Sequence, residues 1–102
     1  MNLSEKQKKY LRGLGHHIKP IITIGEKGIT EALLIEFEKS LDHHELIKVK
    51  VRDSDRQSRN KTINNLFKKQ DINMIQRIGN IVLIYRANPK KKPENKLRLP
   101  SH

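Results

Sequence analysis

The sequence predicts one α/β domain, in the order α-β-α-β-α-β-β, with a mixed four-stranded sheet. Three observations lead there. Apolar residues switch repeatedly between helical and strand spacing over residues 1–87. The chain has 102 residues, a length suited to one domain. Gly79-Asn80 joins two apolar runs, a two-residue loop that signals a tight antiparallel hairpin.

Each element can be justified in turn. Ser4 with Gln7 three residues later is a capping-box pair, so a first helix starts at Ser4. Leu3, Tyr10, Leu11, Leu14 and Ile18 give it a buried stripe, and Pro20 stops it. Ile21–Ile24 is a short apolar strand suited to cover on both faces. Thr30 is an N-cap for a second helix reaching about His43, with Leu33, Leu34, Phe37 and Leu41 inward and Ile35 off the stripe. Leu46–Arg52 alternates strictly: Ile47, Val49 and Val51 face the core, while Lys48, Lys50 and Arg52 face out. Asp53-Ser54-Asp55 is a turn that lacks the Gly and final Glu of a calcium loop. A third helix covers about Arg56 to Lys69, with Ile63, Leu66 and Phe67 inward and Lys61 and Lys68 outward. Ile72–Ile78 and Ile81–Arg86 complete the sheet. Each β-α-β unit crosses over right-handed, making its two strands parallel. Strands one and four read as central, strands two and three as edges. Residues 88–102, with Pro89, Pro93, Pro100 and three consecutive lysines, read as a mobile basic tail.

The charge is lopsided. Lys and Arg number 22 against 11 Asp and Glu, a net +11. Such an excess points to a polyanion, nucleic acid foremost; an inert charged surface is the alternative. Residues 29–45 carry net −4, whereas residues 1–28, 46–70 and 71–102 carry +4, +6 and +5. The second helix therefore turns an acidic face outward, and a polyanion contacts other surfaces. There is no cysteine, which removes disulfides and zinc–cysteine sites. The N-terminus lacks the apolar segment of a signal peptide, and no apolar run is long enough to span a membrane, so a cytoplasmic protein without a membrane partner is expected.

The most informative stretch is Gly25-Glu26-Lys27-Gly28, between the first strand and the second helix. Two glycines let backbone approach a polyanion closely, and the helix N-terminus behind offers N–H groups and a positive dipole end. Lys27 is the favoured phosphate contact, and Glu26 beside it has to point away or be neutralised. Lys8, Arg12 and His16 recur along one side of the first helix, with Lys9 and Lys19 nearby; this stripe either contacts phosphates or is a solvated helix face. The Lys48, Lys50, Arg52 row either lines a binding surface or protects a sheet edge from aggregation. Exposed aromatics for base stacking are missing from the expected sheet, so recognition of backbone and shape is expected. His16-His17 and His43-His44 sit near helix C-termini, where imidazole is favourable without any metal. No Ser/His triad pattern and no Gly-Lys-Ser/Thr phosphate loop is present, so no enzyme, metal or cofactor is expected. An architectural DNA-binding module remains a second reading, and a small enzyme a third.

Taken together, the residues resemble the YhbY family of bacterial CRM domains over about residues 3–87. The likeness lies in Leu3-Ser4 with Lys6-Gln7-Lys8, Leu11-Arg12-Gly13-Leu14, Lys19-Pro20, Gly25 to Glu31, His43-His44-Glu45-Leu46-Ile47-Lys48-Val49-Lys50, Ile78-Gly79 and Leu83-Ile84-Tyr85-Arg86. The resemblance implies an RNA-binding domain over residues 1–87, with a GxxG loop similar to that of KH domains, followed by the basic tail. It also implies association with precursors of the large ribosomal subunit through rRNA. A monomer is expected.

Overall fold

The structure is a computed structural model, describing residues 2–52, 55–67 and 71–101. Helix α1 spans Glu5–Gly15, strand β1 Pro20–Ile24, helix α2 Glu31–His44 and strand β2 Leu46–Val51. Helix α3 spans Arg56–Leu66, β3 Asn73–Ile78 and β4 Ile81–Tyr85, and a single 3₁₀ turn follows at Pro93–Asn95. The expected turn at Asp53 and Ser54, and the expected end of the third helix at Lys68 and Lys69, lie outside the described residues.

The caps are those the side chains dictate. Ser4 Oγ accepts the Gln7 amide at 3.1 Å, and Gln7 Oε1 accepts the Ser4 amide at 3.0 Å, a complete capping box. Thr30 Oγ1 accepts the Leu33 amide at 3.1 Å, and Asp55 accepts from Gln57 and Ser58.

The sheet order is β1-β2-β4-β3, with β1 and β2 parallel and both other pairings antiparallel. Strand β3 thus runs parallel to β2 with β4 inserted between them. Two lateral assignments from the sequence are corrected. Strand β1 is an edge: Ile22 and Ile24 are buried, but Ile21 is 46% exposed and Thr23 faces solvent. Strand β2, expected at an edge, is central and paired on both sides. Edge protection therefore does not explain Lys48 and Lys50.

Both sheet faces are covered, unequally. One carries Ile22, Ile24, Ile47, Val49, Val51, Val82 and Ile84 under Phe37 and Leu41 of α2 and Ile63, Leu66 and Phe67 beside α3. The other carries Leu46, Leu83, Tyr85 and Ile75 under Leu11 of α1. Each fully buried aliphatic side chain contributes roughly 1.5–3 kcal/mol. Helix α1 covers only part of its face. Lys48 and Lys50 share that face and stay half-exposed, as long side chains with an apolar stem and a charged end can. Tyr10, Leu34 and Ile35, all on helices, remain exposed; for Tyr10 and Leu34 this departs from their expected core roles.

The C-terminal segment also differs from expectation. Residues 88–101 run back along the domain, with Leu97 and Leu99 packed on the α1-side core. Its anchor is Glu45, which ends α2 at φ 64° and is 1% exposed. Glu45 Oε2 accepts the Asn88 amide at 2.9 Å and Oε1 the Leu97 amide at 2.8 Å, with Lys91 Nζ 3.7 Å away. Gln7 Nε2 donates to the Pro100 carbonyl at 2.9 Å. The segment is rich in Pro and Lys, yet its backbone donors find a buried carboxylate, and that satisfies them as a sheet would. Arg86, also buried, bonds Glu38 at 2.7 Å and Asp42 at 2.9 Å. Burial alone would lower its pKa, but the hydrogen bonds and charges of Glu38 and Asp42 outweigh that and raise it. Among the described residues, no helix is long and apolar enough to cross a membrane.

Candidate nucleic-acid interface

The Gly25–Gly28 segment is a turn closed by the Gly28 amide donating to the Gly25 carbonyl at 3.0 Å. Gly28 has φ +80°, which a side chain would strain. Gly25 has no such need: a Cβ built there meets nothing within 4 Å. Its missing side chain leaves backbone bare toward solvent. Glu26 and Lys27 are exposed at the tip.

The turn borders an open groove of about 980 Å³ at the carboxyl ends of β1 and β2. Crevices at this end of parallel strands are where open α/β sheets place ligands. Two backbone bonds set the groove's shape. The Arg52 amide donates to the Ile24 carbonyl at 2.7 Å, carrying β2 out beside the turn, and the Val51 amide donates to the Asn80 carbonyl at 2.8 Å, holding the hairpin against β2. Thr23, Lys50, Arg52 and Asn80 line it together with Glu26 and Lys27 of the turn and with Thr30 and Leu33 from the start of α2. Lys50 lies level with Thr23 on β1 and Ile81 on β4. Among the described residues, no carboxylate forms an ion pair with Lys27, Lys50 or Arg52. Three cations around bare backbone make a concave anionic-ligand surface.

The structure thus brings Gly25, Glu26, Lys27, Gly28, Lys50 and Arg52 together. Lys48 lies on the same face as Lys50 but level with Leu83, outside the groove lining. The α1 residues are not part of it. Lys8 lies 3.7 Å from Glu5, and Arg12 and His16 sit on the helix surface. Lys9 borders a separate hollow with Tyr10. Lys19 precedes β1, whereas the turn follows it; a strand of five residues separates them by roughly 16 Å. The cations beside the turn come from β2 and the residue that follows it, not from the first helix as its stripe suggested.

The helix N-terminus contributes less than expected. Helix α2 starts at Glu31, three residues after Gly28; Thr30 caps it, and Glu31 places a carboxylate in its first turn. Loop backbone and side-chain cations dominate the groove. Sequence reasoning missed Thr23, Thr30, Leu33 and Asn80. Two of them had a signal: Thr30 as the N-cap behind the turn, and Asn80 in the hairpin turn, though which strand end that turn meets depends on sheet order. Among the described residues, no group of three or more His, Cys, Asp or Glu side chains is placed to hold a metal, and His43 and His44 pack edge to face.

The sequence model of the CRS1/YhbY (CRM) domain matches residues 3–86. A Haemophilus influenzae protein named RNA-binding protein is 43% identical over 98 residues, covering 96% of this chain and 95% of its own. A probable RNA-binding protein of Pseudomonas aeruginosa is 41% identical, covering 88% of this chain and 86% of its own. A solution structure from Staphylococcus aureus, described as a candidate RNA-binding protein, superposes with a TM-score of 0.73 at 35% identity, covering 97% of this chain and 100% of its own.

Proposed function

The chain belongs to the CRS1/YhbY (CRM) domain family, and on that premise we propose that it binds RNA through the groove between the Gly25–Gly28 turn and the end of β2. The observation that carries the reading is the convergence of Lys27, Lys50 and Arg52, none ion-paired among the described residues, on a two-glycine turn where a Cβ built at Gly25 or Gly28 meets nothing within 4 Å. Phosphates lie against the turn, and the three cations neutralise them. Among the described residues the groove has no aromatic lining, so it takes up backbone and shape and leaves base identity unread. The acidic face of α2, with Glu31, Glu36 and Asp42 exposed, points the polyanion away from that side.

In this reading the protein is a non-enzymatic, cytoplasmic monomer that associates with precursors of the large ribosomal subunit through rRNA. The association with large-subunit precursors is what the family resemblance implies, and the names of its relatives support RNA as the ligand. The test is titration of a structured rRNA fragment at moderate salt against duplex DNA as competitor, with sedimentation of tagged protein from cell extract. Preference for RNA and co-sedimentation with large-subunit precursors are expected. Equal affinity for duplex DNA would leave a general nucleic-acid module instead.

A further inference from the structure

Tyr10 is 43% exposed although its spacing on α1 placed it in the core. It borders an open hollow of about 540 Å³, separate from the groove at the Gly25–Gly28 turn. Leu14 and Pro100 give this hollow apolar surface, and Gly13 adds no side chain. Lys6, Lys9 and His17 stand around it. The wall at Pro100 is fixed, since Gln7 holds its carbonyl at 2.9 Å. Among the described residues, no carboxylate pairs with Lys6 or Lys9.

We propose that this hollow is a second RNA contact, in which Tyr10 stacks an unpaired nucleobase while Lys6 and Lys9 hold the adjoining phosphates. An accessible aromatic face with an apolar wall and a cationic rim is the combination that single-stranded nucleic acid uses. A basic helix face alone takes any phosphate; the ring adds a preference for bases that are free to stack. The site rests on RNA being the partner and supplies the stacking face that the described lining of the groove lacks. It also gives the docked C-terminal segment a role, because Pro100 forms part of the wall.

The chain's composition offers a clean probe. It has two tyrosines and no tryptophan, and Tyr85 is 2% exposed. In a Tyr85→Phe variant all tyrosine emission comes from Tyr10. Saturation with single-stranded oligouridylate is expected to quench that emission, while inorganic polyphosphate of equal charge leaves it unchanged. Tyr10→Ala, at an exposed position, is expected to weaken oligouridylate binding about tenfold, and Tyr10→Phe to bind like the parent. Circular dichroism of each variant checks folding. Oligouridylate binding that neither quenches Tyr10 nor responds to Tyr10→Ala would overturn this site while leaving the RNA reading intact. Failure of the parent protein to bind either oligouridylate or structured rRNA would overturn both.

Discussion

Glu45→Gln tests how the C-terminal segment is held. The side chain is 1% exposed and accepts two backbone amides, from Asn88 at 2.9 Å and Leu97 at 2.8 Å. Hydrogen bonds to a charged acceptor are worth about 1.5–3 kcal/mol each, and a buried donor left unmatched costs a similar amount. Glutamine keeps the shape and one carbonyl oxygen, but turns an amino group toward the other amide. It also removes the charge beside Lys91, 3.7 Å away. A net loss of about 2–4 kcal/mol follows, equivalent to a Tm drop of about 10–25 °C for a domain of this size. Urea and thermal unfolding measure the loss, and hydrogen exchange locates it: the Asn88 and Leu97 amides are expected to lose protection first. Glu45→Gly serves as a control. It relieves the φ of 64°, worth about 1–2 kcal/mol, but lacks the carboxylate and is expected to remain less stable than wild type. Glu45→Gln within about 0.5 kcal/mol of wild type, with both amides still protected, would refute the reasoning.

The remaining predictions concern the turn and one buried tyrosine. Gly25→Ala has room for its Cβ and is expected to fold normally; on the proposed RNA path its methyl group is expected to weaken rRNA binding in titration. Gly28→Ala is forced to φ +80° and loses about 1–2 kcal/mol in urea unfolding. The Tyr85 hydroxyl is pushed above its ordinary 10.0, first by burial and then by the charge of Glu45. A pKa raised by folding gives stability that is complete below the unfolded value and lost as pH climbs through the folded one. Stability should therefore begin to fall as pH rises past about 10, the ordinary value, and fall less in Tyr85→Phe.

Helices, caps and hairpin were legible because each has a local cause: Ser4 with Gln7, Thr30, Gly79-Asn80. The lateral order of strands was not, and β1 and β2 show why. Ile21–Ile24 reads as fully buried, yet at the sheet edge Ile21 stays half in solvent. The Lys48–Lys50 alternation reports that α1 leaves that end of its face open; it says nothing about neighbours in the sheet. The same gap affected the candidate site. The turn and Lys27 were visible as a motif, but pairing β1 with β2 is what carries Lys50 and Arg52 to them, and those contacts are long-range. The docking of residues 88–101 was hidden because the composition of the segment is that of a loop, while its acceptor, Glu45, is far away in sequence.

The central claim is that Lys27, Lys50 and Arg52 act together on phosphate, and salt dependence counts such contacts directly. Affinity for a structured rRNA fragment is measured over a range of salt for wild type and for the combined Lys27→Ala, Lys50→Ala and Arg52→Ala variant, with folding checked by circular dichroism. Each lost phosphate contact lowers the slope of log K against log salt by about 0.7–0.9. The account predicts a folded variant that binds more weakly, with a slope smaller by about 2 to 3. A folded variant with the wild-type slope and affinity would contradict it.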